Sequence, residues 1–420
     1  MIYSDRSWAE VNLDSLKSNI LNIKSILNKN TKIMAVVKAD AYGHGSLETA
    51  NTLIENGVEY LGVACVDEAI HLRNNGVNIP ILILGRSGKV RFEEIIKNDI
   101  SQTVFCLDDA KALSEIALKN NKKAKIHIKI DTGMGRIGYL YGCSDKLDNE
   151  AENEIKQIVS LEGIDAEGIF THFSVADESD DEFTHLQFKR FMSLISKLKD
   201  DGVTFKYRHC CNSAATIKFP EMHLDMVRPG IIIYGVCPSS EVKVDFKLKP
   251  VMQFKTRVVN IKSVQKGTPI SYGKTYEAQT DLIVATVPVG YADGLPRAIS
   301  NKGSMIVGGK IVPVLGRICM DLCIIDVTSV NNIGVGDEVT VFGTQGESFI
   351  PVENIANLSN TINYEILCGV GKRIPRIYLK EGNVTKAINF LDWLSQKMVV
   401  YHIIVIDLRF LIVYNYIRGV

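Results

Sequence analysis

The sequence predicts an α/β chain with a (β/α)8 TIM barrel in residues 1–240, followed by a mostly β domain in residues 241–381. Eight short apolar runs lie between residues 33 and 235, separated by stretches of helix length. From about residue 240 helical spacing becomes scarce, and β-rich pieces between Gly and Pro take over. The third observation decides between two α/β layouts. Lys38, Arg136, His172, Ser213 and Arg228 fall at or just after the ends of the apolar runs. A closed barrel gathers such residues on one face, so it is favoured over a doubly wound open sheet.

Taken in order, residues 8–30 carry Leu13, Leu16, Ile20, Ile23 and Leu27 at helical spacing, with Asp14 or Ser15 as a start signal. The eight runs follow: 33–37, 60–66, 81–84, 103–107, 125–130, 168–173, 207–211 and 226–235. Beyond them FKTRVVNIKSV, LIVATVPVGY, SMIVGGKIVPVLG, CIIDVT and DEVTVFG read as strands. GVGDEV (334–339) reads as a turn between strands, because it lacks the strand, glycine-rich turn and helix of a phosphate loop. Residues 382–420 form an apolar extension of unassigned role. Within it, residues 399–417 hold Asp407 and Arg409 near their centre. Each charge costs about 2.5 to 3.5 kcal/mol to insert, which cancels the gain of roughly 0.3 to 0.6 kcal/mol per aliphatic. A segment docked on the protein, or an accident of the reading frame, is therefore preferred over a membrane anchor.

Composition narrows the function classes. The 420 residues hold 48 Lys and Arg against 48 Asp and Glu, so no net field draws the chain to nucleic acid or an acidic membrane. Nine cysteines with irregular spacing argue for a reducing compartment, with the cytoplasm as the expectation. No paired C-x2-C sets are present, so no metal site is expected. The N-terminus shows no apolar signal stretch.

The chemical centre is sought in MAVVKADAYGHG (34–45), where three buried-strand residues end in a single lysine, Lys38. A lysine partly removed from water at a barrel rim can lose its proton and attack a carbonyl carbon. Read from this segment alone, a strand-end lysine pointing into solvent is the plainer alternative.

This segment closely resembles the one in which alanine racemases hold pyridoxal phosphate. KIDTGMGRIG (129–138), THFSVAD (171–177), NSAAT (212–216), MVRPGIIIYG (226–235), SYGKTY (271–276), GYADGLPR (290–297), GRICMD (316–321) and NYEILC (363–368) match that family in the same order. The resemblance implies interconversion of L- and D-alanine by two bases, supplying D-alanine for peptidoglycan. It gives Lys38 the cofactor and the base for D-alanine, and Tyr272, lent by the partner of a homodimer, the base for L-alanine. It sets Tyr42, Ser213, Tyr364 and the backbone of Gly230 and Ile231 around the phosphate. His172 and Arg228 form a chain that ends on the pyridine nitrogen. An arginine there stays protonated and donates without protonating the ring. Arg136 and the backbone N–H of Met320 meet the substrate carboxylate, and Lys129 steadies Arg136, being carbamylated in some family members. Tyr364 and Met320 crowd the pocket, so a small substrate is expected.

Cys211 stands where alanine is common in the family and Leu295 where tryptophan is frequent. Neither carries an assigned role. Three rivals compete with this reading: a basic amino-acid decarboxylase, a serine or broad-specificity racemase, and a non-catalytic pyridoxal-phosphate carrier. The first would not carry SYGKTY and GRICMD at these places, the second differs only in pocket volume, and the third would lack Tyr272 and its domain.

Overall fold

Between Lys32 and Val227 the chain lays down eight parallel strands in sequence order: Lys32–Val36, Tyr60–Val63, Ile81–Ile83, Ser101–Val104, Ala124–Asp131, Ile164–Phe170, Tyr207–His209 and Met226–Val227. Each run expected from the sequence overlaps one of them. This computed structural model describes residues 6–389. The eighth strand pairs in parallel with the first, and two backbone bonds join the eighth to the seventh, from Asp225 N to Arg208 O and from Arg228 N to Cys211 O. The sheet is thus a barrel and not an open, doubly wound layer. Met34, Tyr60, Leu82, Phe170, Tyr207 and Met226 fill its interior.

Helices cover the outside, their apolar faces buried at the spacing that burial on one side demands. Leu13–Ser25 buries Leu13, Leu16, Ile20 and Ile23. Asn19 on the same face donates to the Ile233 and Lys249 carbonyls and accepts from Lys249 N, tying the last stretch of the unit to this helix. Asp14 falls inside the first turn instead of ahead of it, because the helix starts one residue earlier, at Leu13.

The chain divides into two units. Leu13–Val251 is one, and residues through Asn12 join those from Met252 onward in the other. The second unit is built on a mainly antiparallel sheet in which Met252–Arg257 lies between Glu338–Gln345 and Trp8–Asn12. Trp8–Asn12 is a strand where the sequence suggested only the approach to a helix. It pairs with Met252–Arg257 on one side and in parallel with Arg376–Lys380 on the other. Lys255 bridges Glu10 and Glu338 at 3.0 Å each, fastening three neighbouring strands. Asp293, fully buried, takes Arg6 and Arg373 at 2.8 and 2.7 Å and accepts from Gly290 N, which fixes the Tyr291–Gly294 turn. GVGDEV is a turn, with Asp337 accepting from Gly334 N before the strand from Glu338 begins.

Of the tail, Asn383–Ile388 adds an antiparallel strand beside Arg376–Lys380. The apolar run 399–417 lies outside the described residues. Among the described residues no helix is long and apolar enough to cross a membrane. None of the nine cysteines is in a disulfide, and no group of His, Cys, Asp and Glu among the described residues could hold a metal ion.

Candidate active site

Lys38 follows directly on the first barrel strand, and the backbone after it turns the unusual way. Ala39, Asp40, Ala41 and Tyr42 all have φ between 52° and 55°, a left-handed turn without a glycine. L-residues resist this by about 1–2 kcal/mol each, so the turn needs outside support. Glu68 provides part of it, one carboxylate oxygen accepting from Ala39 N and the other from Ala64 N, both at 2.7 Å. Asp40 accepts from Ser46 N at 2.7 Å and so closes the far end onto the next helix. The turn delivers Tyr42 into the core, where its ring lies 4.9 Å from that of Tyr234.

Tyr42 meets Gly230 so closely that a Cβ there would fall 2.5 Å from its hydroxyl. Gly230 N in turn donates to Ser213 Oγ at 2.8 Å. Ser213 is free for this because Asn212 caps the helix Ser213–Lys218, accepting from Ala215 N. The N–H groups opening the 3-10 turn Ile231–Tyr234 have no acceptor within that turn. Two hydroxyls and a run of backbone N–H groups converge at one place, the donor set a phosphate takes.

Beside them Arg228 is 4 % exposed. Nη2 donates to the carbonyls of Thr171 and Cys210 at 2.8 and 3.1 Å and to His172 Nδ1 at 3.2 Å, and Nη1 donates to His209 Nδ1 at 2.9 Å. Burial lowers its pKa to about 10, which leaves it cationic at neutral pH. Desolvation first, then the charges of Arg228, Lys129, Arg136 and Lys38, hold His172 well below the usual imidazole range. Since Arg228 can only donate, neutral His172 carries its proton on Nε2.

Lys129 is buried in the strand Ala124–Asp131, with Nζ donating to the Ile130 carbonyl at 2.6 Å and facing the Phe170 ring. Burial, then the positive charge of Arg228, lowers its pKa to about 7. Two residues on, Asp131 accepts from the backbone N–H groups of Gly133, Met134, Gly135 and Arg136 at 2.8 to 3.1 Å. Those bonds outweigh the cost of its burial and hold the carboxyl below its ordinary range. They also fix the loop on which Arg136 presents an exposed side chain. Sequence reasoning passed over Asp131, although an aspartate before a run of glycines is a usable sign of such a nest.

The remaining predicted residues lie in the other unit. Tyr272 opens the short turn Tyr272–Lys274 and is 70 % exposed. Ser271 before it has φ 65° and ψ −173°, a region glycine normally occupies, and its hydroxyl donates to the Arg317 carbonyl. Met320 is 53 % exposed, its carbonyl accepting from Ala292 N, and Tyr364 is half-buried in the helix Asn363–Gly369.

Comparison with known proteins agrees with this layout. Family models described as alanine racemase, N-terminal domain, and alanine racemase, C-terminal domain, match residues 11–238 and 251–378. The chain belongs to the alanine racemase family. It is 47 % identical to an alanine racemase of Clostridium tetani over 386 residues, 91 % of this chain and 98 % of the relative. Among solved structures, it resembles alanine racemase of Clostridium difficile 630 at 42 % identity and TM-score 0.87, covering 92 % of this chain and 99 % of that one. Alanine racemase from Bacillus anthracis, solved with bound L-Ala-P, follows at 36 % identity and TM-score 0.86, covering 93 % and 99 %. The motifs read from the sequence therefore led to the right family, and the barrel and β-rich units are its fold.

Proposed function

We propose that this chain is a pyridoxal-phosphate-dependent racemase that interconverts L-alanine and D-alanine. The observation that carries the reading is its 47 % identity, over 91 % of its length, to a protein named alanine racemase. The barrel residues fit the cofactor: Tyr42, Ser213, Gly230 and Ile231 for its phosphate, with Tyr364 as a further hydroxyl, Arg228 for its ring nitrogen and Lys38 for its aldehyde. Pyridoxal phosphate supplies, when bound, the electron-withdrawing ring that lets a Cα–H bond give up its proton.

The chain's own residues do the rest. Lys38 is the base on one face of the substrate, removing the proton of D-alanine and returning it in the reverse reaction. Tyr272 of a second copy serves the opposite face and handles L-alanine. A phenol is a weak base at neutral pH, and the proton on His172 Nε2 offers a hydrogen bond that favours its anion. Arg228, donating and never accepting, keeps the ring nitrogen unprotonated. Arg136 clamps the substrate carboxylate with the N–H of Met320. Lys129, partly uncharged near neutral pH, supports Arg136 and is suited to carbamylation, which a mass measurement would reveal. The exposure of Tyr272 and Met320 in the single chain supports a homodimer with shared sites. A cytoplasmic place supplying D-alanine for peptidoglycan accords with the free cysteines.

Exchange of the α-hydrogen in deuterated water across a panel of amino acids tests the activity. Alanine is expected to exchange fastest, and faster exchange of serine would move the assignment to the broader racemase. Borohydride should fix the cofactor on Lys38, and a label on another lysine would overturn the chemistry proposed.

A further inference from the structure

The strand Ile164–Phe170 carries one residue more than its neighbour requires. Ile126 faces Ala166 but His127 faces Gly168, so Glu167 is the extra residue of a bulge. Gly168 has its own reason to be glycine, since a Cβ there would fall 2.3 Å from His127 Nδ1. Bulge and glycine together accommodate a buried polar cluster. Glu167 Oε1 accepts from Ser101 Oγ at 2.6 Å and from the Tyr60 hydroxyl at 2.7 Å, with His127 Nε2 at 3.3 Å. His127 Nδ1 lies 2.8 Å from His209 Nε2, and His209 Nδ1 meets Arg228.

The two ends of this row fix every proton in it. Arg228 cannot accept, so His209 Nδ1 holds a lone pair and its proton sits on Nε2. That proton points at His127 Nδ1, which must also be a lone pair, leaving the His127 proton on Nε2 toward the carboxylate. Protonating either imidazole would set two donors face to face. Both rings are fully buried, and desolvation lowers the pKa of each, His209 most strongly. Burial opposes ionisation of Glu167, but the bonds from His127, Ser101 and Tyr60 bring its pKa down to about 2.

Arg228 itself has two imidazoles and two carbonyls as hydrogen-bond partners. Its Cζ lies 5.3 Å from the centre of the Phe170 ring, and the thiols of Cys210 and Cys211 and the cations Arg136 and Lys129 also act on it. We infer that Glu167 is a positioning residue for the racemisation. Through two neutral, unidirectionally bonded imidazoles it serves as the remote counter-charge that keeps Arg228 cationic and aimed. The inference rests on the reading that Arg228 meets the cofactor ring nitrogen.

The test uses full-length, cofactor-loaded protein labelled with [15N]histidine, with two-bond proton–nitrogen correlations reporting the tautomers. His127 and His209 should both be neutral Nε2–H forms from about pH 5 to pH 9. An imidazolium or an Nδ1–H form at His209 would overturn the relay. Glu167→Gln keeps the shape and an acceptor oxygen but loses the charge. It should lower kcat about tenfold, with KM for alanine changed less than about twofold. The alkaline limb of its pH profile should move to lower pH, because Arg228 then loses its proton more easily. Tyr60→Phe removes one bond to Glu167 but leaves the carboxylate and both imidazoles, so its kcat should stay within about twofold of the wild type. Equal losses in the two variants, or none in Glu167→Gln, would refute the inference. Borohydride labelling of Lys38 reports separately on the cofactor reading, so either idea can fail while the other stands.

Discussion

In the barrel unit Arg228 and Lys129 are 4 % and 3 % exposed, whereas in the β-rich unit Tyr272 and Met320 are 70 % and 53 % exposed. The barrel spends its interior on cations whose proton equilibria are bent by burial. The second unit displays two of its three candidates on the surface, and the third, Tyr364, is half-buried in a helix. A group that must work desolvated, yet stands in water in the isolated chain, needs a cover, and a second copy of the chain is the cover the proposed homodimer supplies. The two units share one device, a strained non-glycine backbone beside the proposed base: Ala39–Tyr42 after Lys38 and Ser271 before Tyr272.

Lys38→Ala is expected to have the largest effect, lowering turnover in both directions by at least about 10^3-fold. Tyr272→Phe should suppress proton removal from L-alanine by about 10^2-fold and from D-alanine clearly less. Steady-state racemisation checks the first. Release of the α-hydrogen from each enantiomer into solvent checks the second, because the fixed equilibrium constant makes kcat/KM for racemisation fall equally in both directions, and equal losses of α-hydrogen release in Tyr272→Phe would break the two-face assignment. Mixing the two inactive proteins should restore part of the activity through hybrid dimers, and complete silence would break the division of labour between the units.

Gly230→Ala sharpens the barrel side of the comparison. Its Cβ would fall 2.5 Å from the Tyr42 hydroxyl, so cofactor affinity, read from absorbance during dialysis, should drop about tenfold. Asp131→Asn leaves at least one of four backbone donors poorly satisfied, at about 1–3 kcal/mol of stability, and KM for alanine should rise as Arg136 loosens. The smallest effect concerns Lys129. Its pKa is near 7 in the folded chain and about 10.4 when unfolded, so between these values the unfolded state binds more protons and stability rises with pH. Lys129→Met should flatten that rise in melting temperature, and an unchanged slope would mean that the lysine is not buried as described.

The barrel was legible because strands such as Lys32–Val36, Tyr60–Val63 and Ile81–Ile83 fall in short apolar runs that end where polar residues begin. Trp8–Asn12 was not legible as a strand, since its partners, Met252–Arg257 and Arg376–Lys380, lie far along the chain and nothing local marks the pairing. The left-handed turn was hidden for a different reason: Ala39, Asp40, Ala41 and Tyr42 are ordinary residues, and their conformation is imposed from outside, in part by Glu68. His127, His209 and Glu167 were given no catalytic role, although each is a polar residue within or directly beside an apolar run. An inward-facing polar residue in such a run was the available signal, and only three-dimensional contact shows that the three form one row.

Reversed winding at residues 39–42 also makes this stretch a ruler. Successive side chains step around the axis in the opposite sense to an ordinary helix, and the pitch and count together bring Tyr42 to Gly230 while Lys38 stays at the strand's end. Adding or deleting one residue would swing the phenol off its mark, so substitutions should be far better tolerated here than any change in length.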